Sequence, residues 1–361
     1  MVDFRYHLVS LISVFFALAI GIILGAGPLQ ESLGNVLQSQ VSDLRTTNME
    51  LKAQNEELER AIGHQEQAFE DVAPVLIGDT LSGQTISLVV LPGVTDREVS
   101  AVQARIEDAG ASVSGVATLK DTWTLASQNS FRSTFADQIT EYVPGAEDGA
   151  ETNQVLALAV NAITRDGVAK HDTLAGLMTG TDTPMMSIDA MVEPASAVLV
   201  LTPDIPSAAS ETVDPDLEAQ QQYTTSTHVS LIIELGSRGP TVAAGAGGSE
   251  GDVIYEMRGM AAEVSTVDSI DLIVGQINAP IALATELRDG LIHLGIESGA
   301  QRVLGERVEA RAVEPAAPPA EPADESADGE EAGTVEPVDG EGEPVESEDT
   351  SEEAVTEESE G

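Results

Sequence analysis

The sequence contains no cysteine, which rules out a disulfide framework, a thiolate metal site and a cysteine nucleophile together. Basic residues are scarce: 16 Lys and Arg face 62 Asp and Glu, a formal net charge of -46. The lysines are Lys52, Lys120 and Lys170. Nucleic acid and anionic membrane surfaces are excluded as general partners, because both are gripped by clustered Lys and Arg. Aromatic residues make up 3% of the chain, too few for the aromatic girdles of a membrane-spanning barrel. There is no G-x-S-x-G elbow, H-E-x-x-H pair, phosphate-binding P-loop or EF-hand loop, so the chain reads as non-enzymatic and without a cofactor.

What is present starts at the amino terminus. LVSLISVFFALAIGIILGAG, residues 8–27, carries no charge and has the length that a bilayer core requires of a helix. Cleavage after Gly27 would have to fall before Pro28, so a retained transmembrane helix over 8–28 is expected rather than a removed leader. Arg5 precedes the segment and the next basic residue is Arg45. The basic-side rule then puts residues 1–7 in the cytoplasm and the bulk of the chain outside the cell membrane.

A stalk over residues 30–70 follows. Leu37, Leu44, Leu51 and Leu58 recur every seventh position, with Val41, Asn48, Asn55 and Ile62 between them. This is a d/a seam, and asparagine at a fixes register and a two-stranded state. A homodimer through residues 33–62 is expected, with an amphipathic helix docked on a partner as the alternative. Pro74 is expected to end the helix.

Residues 72–311 read as an extracytoplasmic α/β domain. TISLVVLPG (85–93), ASVSGVATL (111–119), SAVLVLTPD (196–204), TVAAG (241–245) and VSTVD (264–268) are strand candidates. Thr95 and Glu98 form a capping box before a helix with Val99, Val102 and Ile106 on its apolar face, stopped by Gly110. Further helices are expected in 153–165, 225–239 and 273–290. The alternation implies a mostly parallel sheet with helices on both faces. Trp123, Phe131, Phe135 and Tyr142 are expected in the core. From 312 to 361 the chain is acidic, without a single base, and is expected to be a disordered tail.

Two stretches could carry chemistry. In AGAGGSEGDVIYEM, the glycines Gly245 to Gly251 lie between a strand and a helix. They offer backbone amides to an anion, with Asp268 placed as a ribose-binding acid would be. Glu250 and Asp252 oppose that reading, and a flexible glycine loop is the alternative. In 171–191, Met178, Met185, Met186 and Met191 gather near His171. Thioethers and imidazole suit Cu(I) as a ligand; methionine is equally a filler of irregular cores.

VDFRYHLVSLISVFFALAIGIILGAGPLQ, the heptads after it, and VSTVDSIDLIVGQINAPIALA together resemble the actinobacterial family named for the copper transport protein MctB, over about residues 1–305. The resemblance implies copper export or homeostasis. It also implies SteB-like relatives, which act in cell-wall remodelling and cell separation with a membrane-bound envelope partner protein.

Overall fold

The computed structural model describes residues 4–147, 149–180, 182–191, 193–205 and 215–311, with the backbone alone for 26–36. The expected acidic tail, 312–361, lies outside the described residues, as do residues 1–3.

One helix, α1 (Phe4–Ile77), occupies the first fifth of the chain. Its opening Phe4–Gly25 has a mean hydropathy of 2.7 and is wholly exposed; among the described residues it alone is long and apolar enough to cross a membrane. The helix runs through Pro74 instead of stopping there. The proline carbonyl still accepts from Gly78 N at 3.0 Å, and Ala73 and Ile77 drop into the core. Proline removes one donor and crowds the preceding turn, and burial of that last turn offsets the loss. From Gly25 to Ile77 the rod spans about 78 Å at roughly 1.5 Å per residue.

The head is a seven-stranded sheet in the order β3-β2-β1-β4-β5-β6-β7. The strands are β1 (Thr85–Val90), β2 (Ser112–Leu119), β3 (Met186–Ala190), β4 (Ala197–Leu201), β5 (Thr241–Gly245), β6 (Ser265–Asp268) and β7 (His293–Leu294). All pair in parallel except β3, which runs antiparallel to β2. β1, β2, β4, β5 and β6 coincide with the sequence-based strands. β3 and β7 are additions at the two edges.

Helices cover both faces, as the alternation predicts. Ile86, Leu88, Val90, Leu199 and Val242 point to the face packed by the end of α1, by α2 (Asp96–Asp108) and by α8 (Ile273–Glu286). Val89, Val198, Val200 and Ala243 point to the other, under α3 (Asn129–Ile139), α4 (Thr152–Asp166), α5 (Asp172–Thr179), α6 (Pro215–Arg238) and α7 (Val253–Gly259). Both faces of β4 and β5 are buried throughout. That is why these strands are continuous apolar runs rather than alternating ones. The Thr95–Glu98 capping box forms as expected. Trp123 and Phe135 are buried and Phe131 packs against the same cluster. Tyr142 is exposed, because α3 ends at Ile139 and the tyrosine lies in the 3-10 turn beyond.

The topology decides where function can sit. The chain winds outward from β1 to β2 and β3, then returns past β1 to begin β4. The carboxyl ends of β1 and β4 therefore flank a switch point, where open α/β sheets form crevices. α1 enters at the opposite side, handing the chain to the first residue of β1 through a short turn.

Candidate functional site

Two clefts open along the carboxyl edge of the sheet, sharing Asp204 as a common wall. The first, of 280 Å³, lies over the ends of β4, β5, β6 and β7. Its walls include Glu98, Asp204, Asp252, Asp271 and Glu297, and among the described residues no Lys or Arg. Asp252 is buried at the start of α7 and accepts from Ile205 N at 3.0 Å and Ser249 N at 2.8 Å. Burial raises its carboxyl pKa above the ordinary value.

These residues answer the anion question posed by the glycine loop. The amide of Ser249, which would have to face an anion, is already given to Asp252, and every charge in the wall is negative. Asp268, the candidate ribose acid, is fully buried and committed. It receives Arg258 Nη1 at 2.6 Å, Ser269 Oγ at 2.8 Å and Ile296 N at 2.8 Å. The dinucleotide reading fails on both counts. Of the loop glycines, Gly245 serves packing, because a Cβ there would overlap the Thr202 side chain, whereas Gly251 has open space and needs glycine for its φ of 100. Although the first six strands follow a dinucleotide-fold order, the turn after β1 is Leu91-Pro92-Gly93 rather than a glycine-rich phosphate loop. Among the described residues no group of three His, Asp or Glu is placed to hold a metal ion.

The methionine segment folds around the β2 edge. Met178 lies on α5, Met185 and Met186 enter β3, and Met191 leaves it. All four are fully buried in one apolar cluster with Trp123 and Phe135. Main-chain bonds fix them: Met185 N donates to Met178 O at 3.0 Å, Trp123 Nε1 to Met185 O at 2.8 Å, and Met191 N to Ser114 O at 2.7 Å. Met191 sits at φ 57, a left-handed conformation that costs a residue with a side chain. His171, at the entrance to α5, is partly buried with Nε2 3.0 Å from Asp166 Oδ2. Hydrogen bonds from His171 and Lys170 hold the Asp166 carboxyl below its usual range.

On α1, Leu37, Val41, Leu44, Leu51, Leu58 and Ile62 are all exposed, as are Asn48 and Asn55. The stripe does not stop at Ile62. Phe69 and Val72 continue the a and d positions and are also exposed, so the open seam reaches the turn where the helix enters the head. The periodicity extends that far in the sequence too, with Gln65 interrupting it at one d position.

The family model described as "Copper transport outer membrane protein, MctB" matches residues 1–304. The chain belongs to the MctB family. Among its relatives, the copper transporter MctB of Mycobacterium tuberculosis (strain ATCC 25618 / H37Rv) is 26% identical over 323 residues, covering 84% of this chain and 99% of the relative. The copper transporter MctB of Mycobacterium leprae (strain TN) is 26% identical over 313 residues, covering 80% of this chain and 94% of the relative. The MctB match thus spans apolar helix, seam and head, ending just past β7. Within the head of this MctB-family chain the sheet is no membrane barrel: β3 and β7 end it, and both of its faces are packed by helices rather than alternating between lipid and lumen.

Proposed function

We propose that this membrane-associated member of a copper transport family is a single-pass, non-catalytic copper-handling protein, held by Phe4–Gly25 with its head outside the cell membrane. The observation that carries the reading is the continuity of α1. Its apolar opening is exposed to whatever surrounds it, and its last turn is buried in the head. Membrane segment and head are therefore joined by one rod. Orientation follows from Arg5 before the apolar segment and Arg45 well after it. The open seam from Leu37 to Val72 is closed by a second copy, with Asn48 and Asn55 setting a parallel two-stranded register.

The copper-binding part of the proposal rests on chemistry. Thioether sulfurs select Cu(I), and Met178, Met185, Met186 and Met191 share one buried cluster. His171 retains Nδ1 for a metal, its Nε2 being engaged by Asp166. The test replaces all four methionines by leucine in the full chain. Met-to-Leu exchange nearly conserves volume, so the fold is retained and the comparison isolates sulfur. The wild-type chain is expected to withdraw Cu(I) from a bicinchoninate indicator, and the leucine variant to lose that capacity with an unchanged melting temperature. Failure of the wild type to withdraw Cu(I), or equal withdrawal by both, refutes the site. Protease added to intact spheroplasts tests topology separately: digestion of the head is expected, and its protection would reverse the orientation.

A further inference from the structure

The second cleft on the carboxyl edge, 360 Å³ at the β1/β4 switch point, has a feature that packing does not explain. His228 of α6 lines it, is 1% exposed, and has no hydrogen-bond partner at either ring nitrogen. Leaving a buried polar group unpaired costs on the order of 1–3 kcal/mol, and here one ring carries two such groups. Of the neighbouring polar side chains, Gln220 is already satisfied: it donates to Thr124 O at 2.8 Å and to Thr224 Oγ1 at 3.1 Å. The imidazole is thus an uncommitted donor and acceptor at the inner wall of a crevice whose size lies within the range of small-molecule pockets.

The remaining walls define what fits. Pro92, Leu125, Pro203 and Ile205 give apolar surface, and the charged lining residues are Asp121 and Asp204, both exposed. No Lys or Arg lines the cleft among the described residues. Phosphates, nucleotides and carboxylates would meet only like charge. We propose that this cleft binds a small organic amine: its ammonium faces Asp121 and Asp204 at the mouth, its apolar body lies on the prolines, and a hydroxyl at its inner end pairs with His228. Burial lowers the His228 pKa to about 4, so near neutrality the ring keeps one donor and one acceptor, either of which can pair with a hydroxyl. The site stands apart from the copper reading, which uses other residues.

Tyramine is the probe that carries all three features. Phenethylamine lacks the hydroxyl, and 3-(4-hydroxyphenyl)propionate replaces the ammonium by a carboxylate. The full chain in lipid nanodiscs, labelled with ¹⁵N-histidine, contains five histidines, and His228→Phe assigns the ring of interest by its loss. Tyramine is expected to shift the His228 nitrogens saturably. Phenethylamine is expected to bind about tenfold more weakly, the value of one hydrogen bond, and the propionate not at all. In His228→Phe, which removes an unpartnered polar ring and keeps an aromatic body, the preference for tyramine over phenethylamine should vanish while the melting temperature does not fall. Asp121→Asn with Asp204→Asn should abolish the preference for the amine over the acid. Absence of saturable binding by tyramine, or equal binding of amine and acid by the wild type, overturns the proposal.

Discussion

Replacing Arg258 by methionine should be among the most costly single changes in the head. Arg258 leaves α7 and crosses β6 to reach β7. Its Nη1 meets Asp268 Oδ2 at 2.6 Å, its Nε donates to Thr266 Oγ1 at 2.9 Å, and its Nη2 to Leu294 O at 2.9 Å. The two side chains are 4% and 0% exposed. Methionine keeps most of the stem but removes the charge and every donor. Asp268 is then left buried with only the neutral donors Ser269 Oγ, Ile296 N and Glu297 N. Removing one partner of a buried ion pair costs about 3–5 kcal/mol. For a domain of this size each kcal/mol lowers Tm by about 2–4 °C, so a fall of roughly 6–20 °C is expected. The assay is thermal unfolding of the detergent-solubilised full chain followed by circular dichroism. Repetition in 1 M NaCl should leave the fall intact, because a buried pair is little screened. Arg258→Met combined with Asp268→Asn should cost less than the sum of the two single changes. A fall under about 2 °C, or strict additivity, would refute the view that this pair ties β6 and β7 to α7.

On the proposed dimer, Asn48→Leu with Asn55→Leu should stabilise the stalk but release the two-stranded preference, read as a change of oligomer in light scattering of the full chain; a monomer before and after removes the dimer. Thr95→Ala breaks the capping box of α2 and should cost about 1 kcal/mol, seen as a small drop in Tm. His228 gives a pH signature. Its folded pKa, lowered by burial to about 4, lies below the ordinary 6.5, so its contribution is fully present above pH 6.5 and is lost as pH falls toward 4, by about 3 kcal/mol in total. Asp121 and Asp204 are the acidic residues that share its cleft. His228→Phe should therefore flatten the pH dependence of Tm between 6.5 and 4, and an unaltered slope would count against the burial argument.

The parts of the fold that were legible in the sequence are those where burial and periodicity coincide. β4 and β5 are apolar on both faces, so AVLVL and TVAAG announce themselves as interior strands. The α2 cap is chemical and local, and Thr95 with Glu98 suffices to place it. β3 was illegible because it is an antiparallel edge strand of five residues, with Ser187, Asp189 and Ala190 outward. Its neighbour Met191 takes a left-handed turn that no local pattern requires. β7 is two residues long and exists because Thr266 N reaches Ile292 O and the Arg258–Asp268 pair closes beneath it. Asp268 illustrates the harder failure. Its position at the end of a strand suggested a ligand-binding acid, whereas its partner Arg258 sits ten residues upstream on another element. His228 carried no signal at all, since a histidine among Val229, Leu231 and Ile232 reads as one more residue of a buried helix face.

The head's polarity follows from that same topology. A parallel sheet has its loops of one kind at each edge, and α1 delivers the chain to the edge where the strands begin. Both clefts lie where the strands end, so the stalk and the clefts occupy opposite edges of one sheet. The acidic cleft and the His228 cleft share Asp204, and the first is tied to the Arg258 lattice through Glu297, whose amide is held by Asp268. Cations drawn to the strongly negative surface would concentrate at this edge. The methionine cluster lies apart, sealed under the β2 side by α5 and the Trp123 ring. On the proposed Cu(I) reading, an ion would have to part β3 from its packing to reach those sulfurs, and Ala190 and Met191 hold left-handed backbone at one end of that strand.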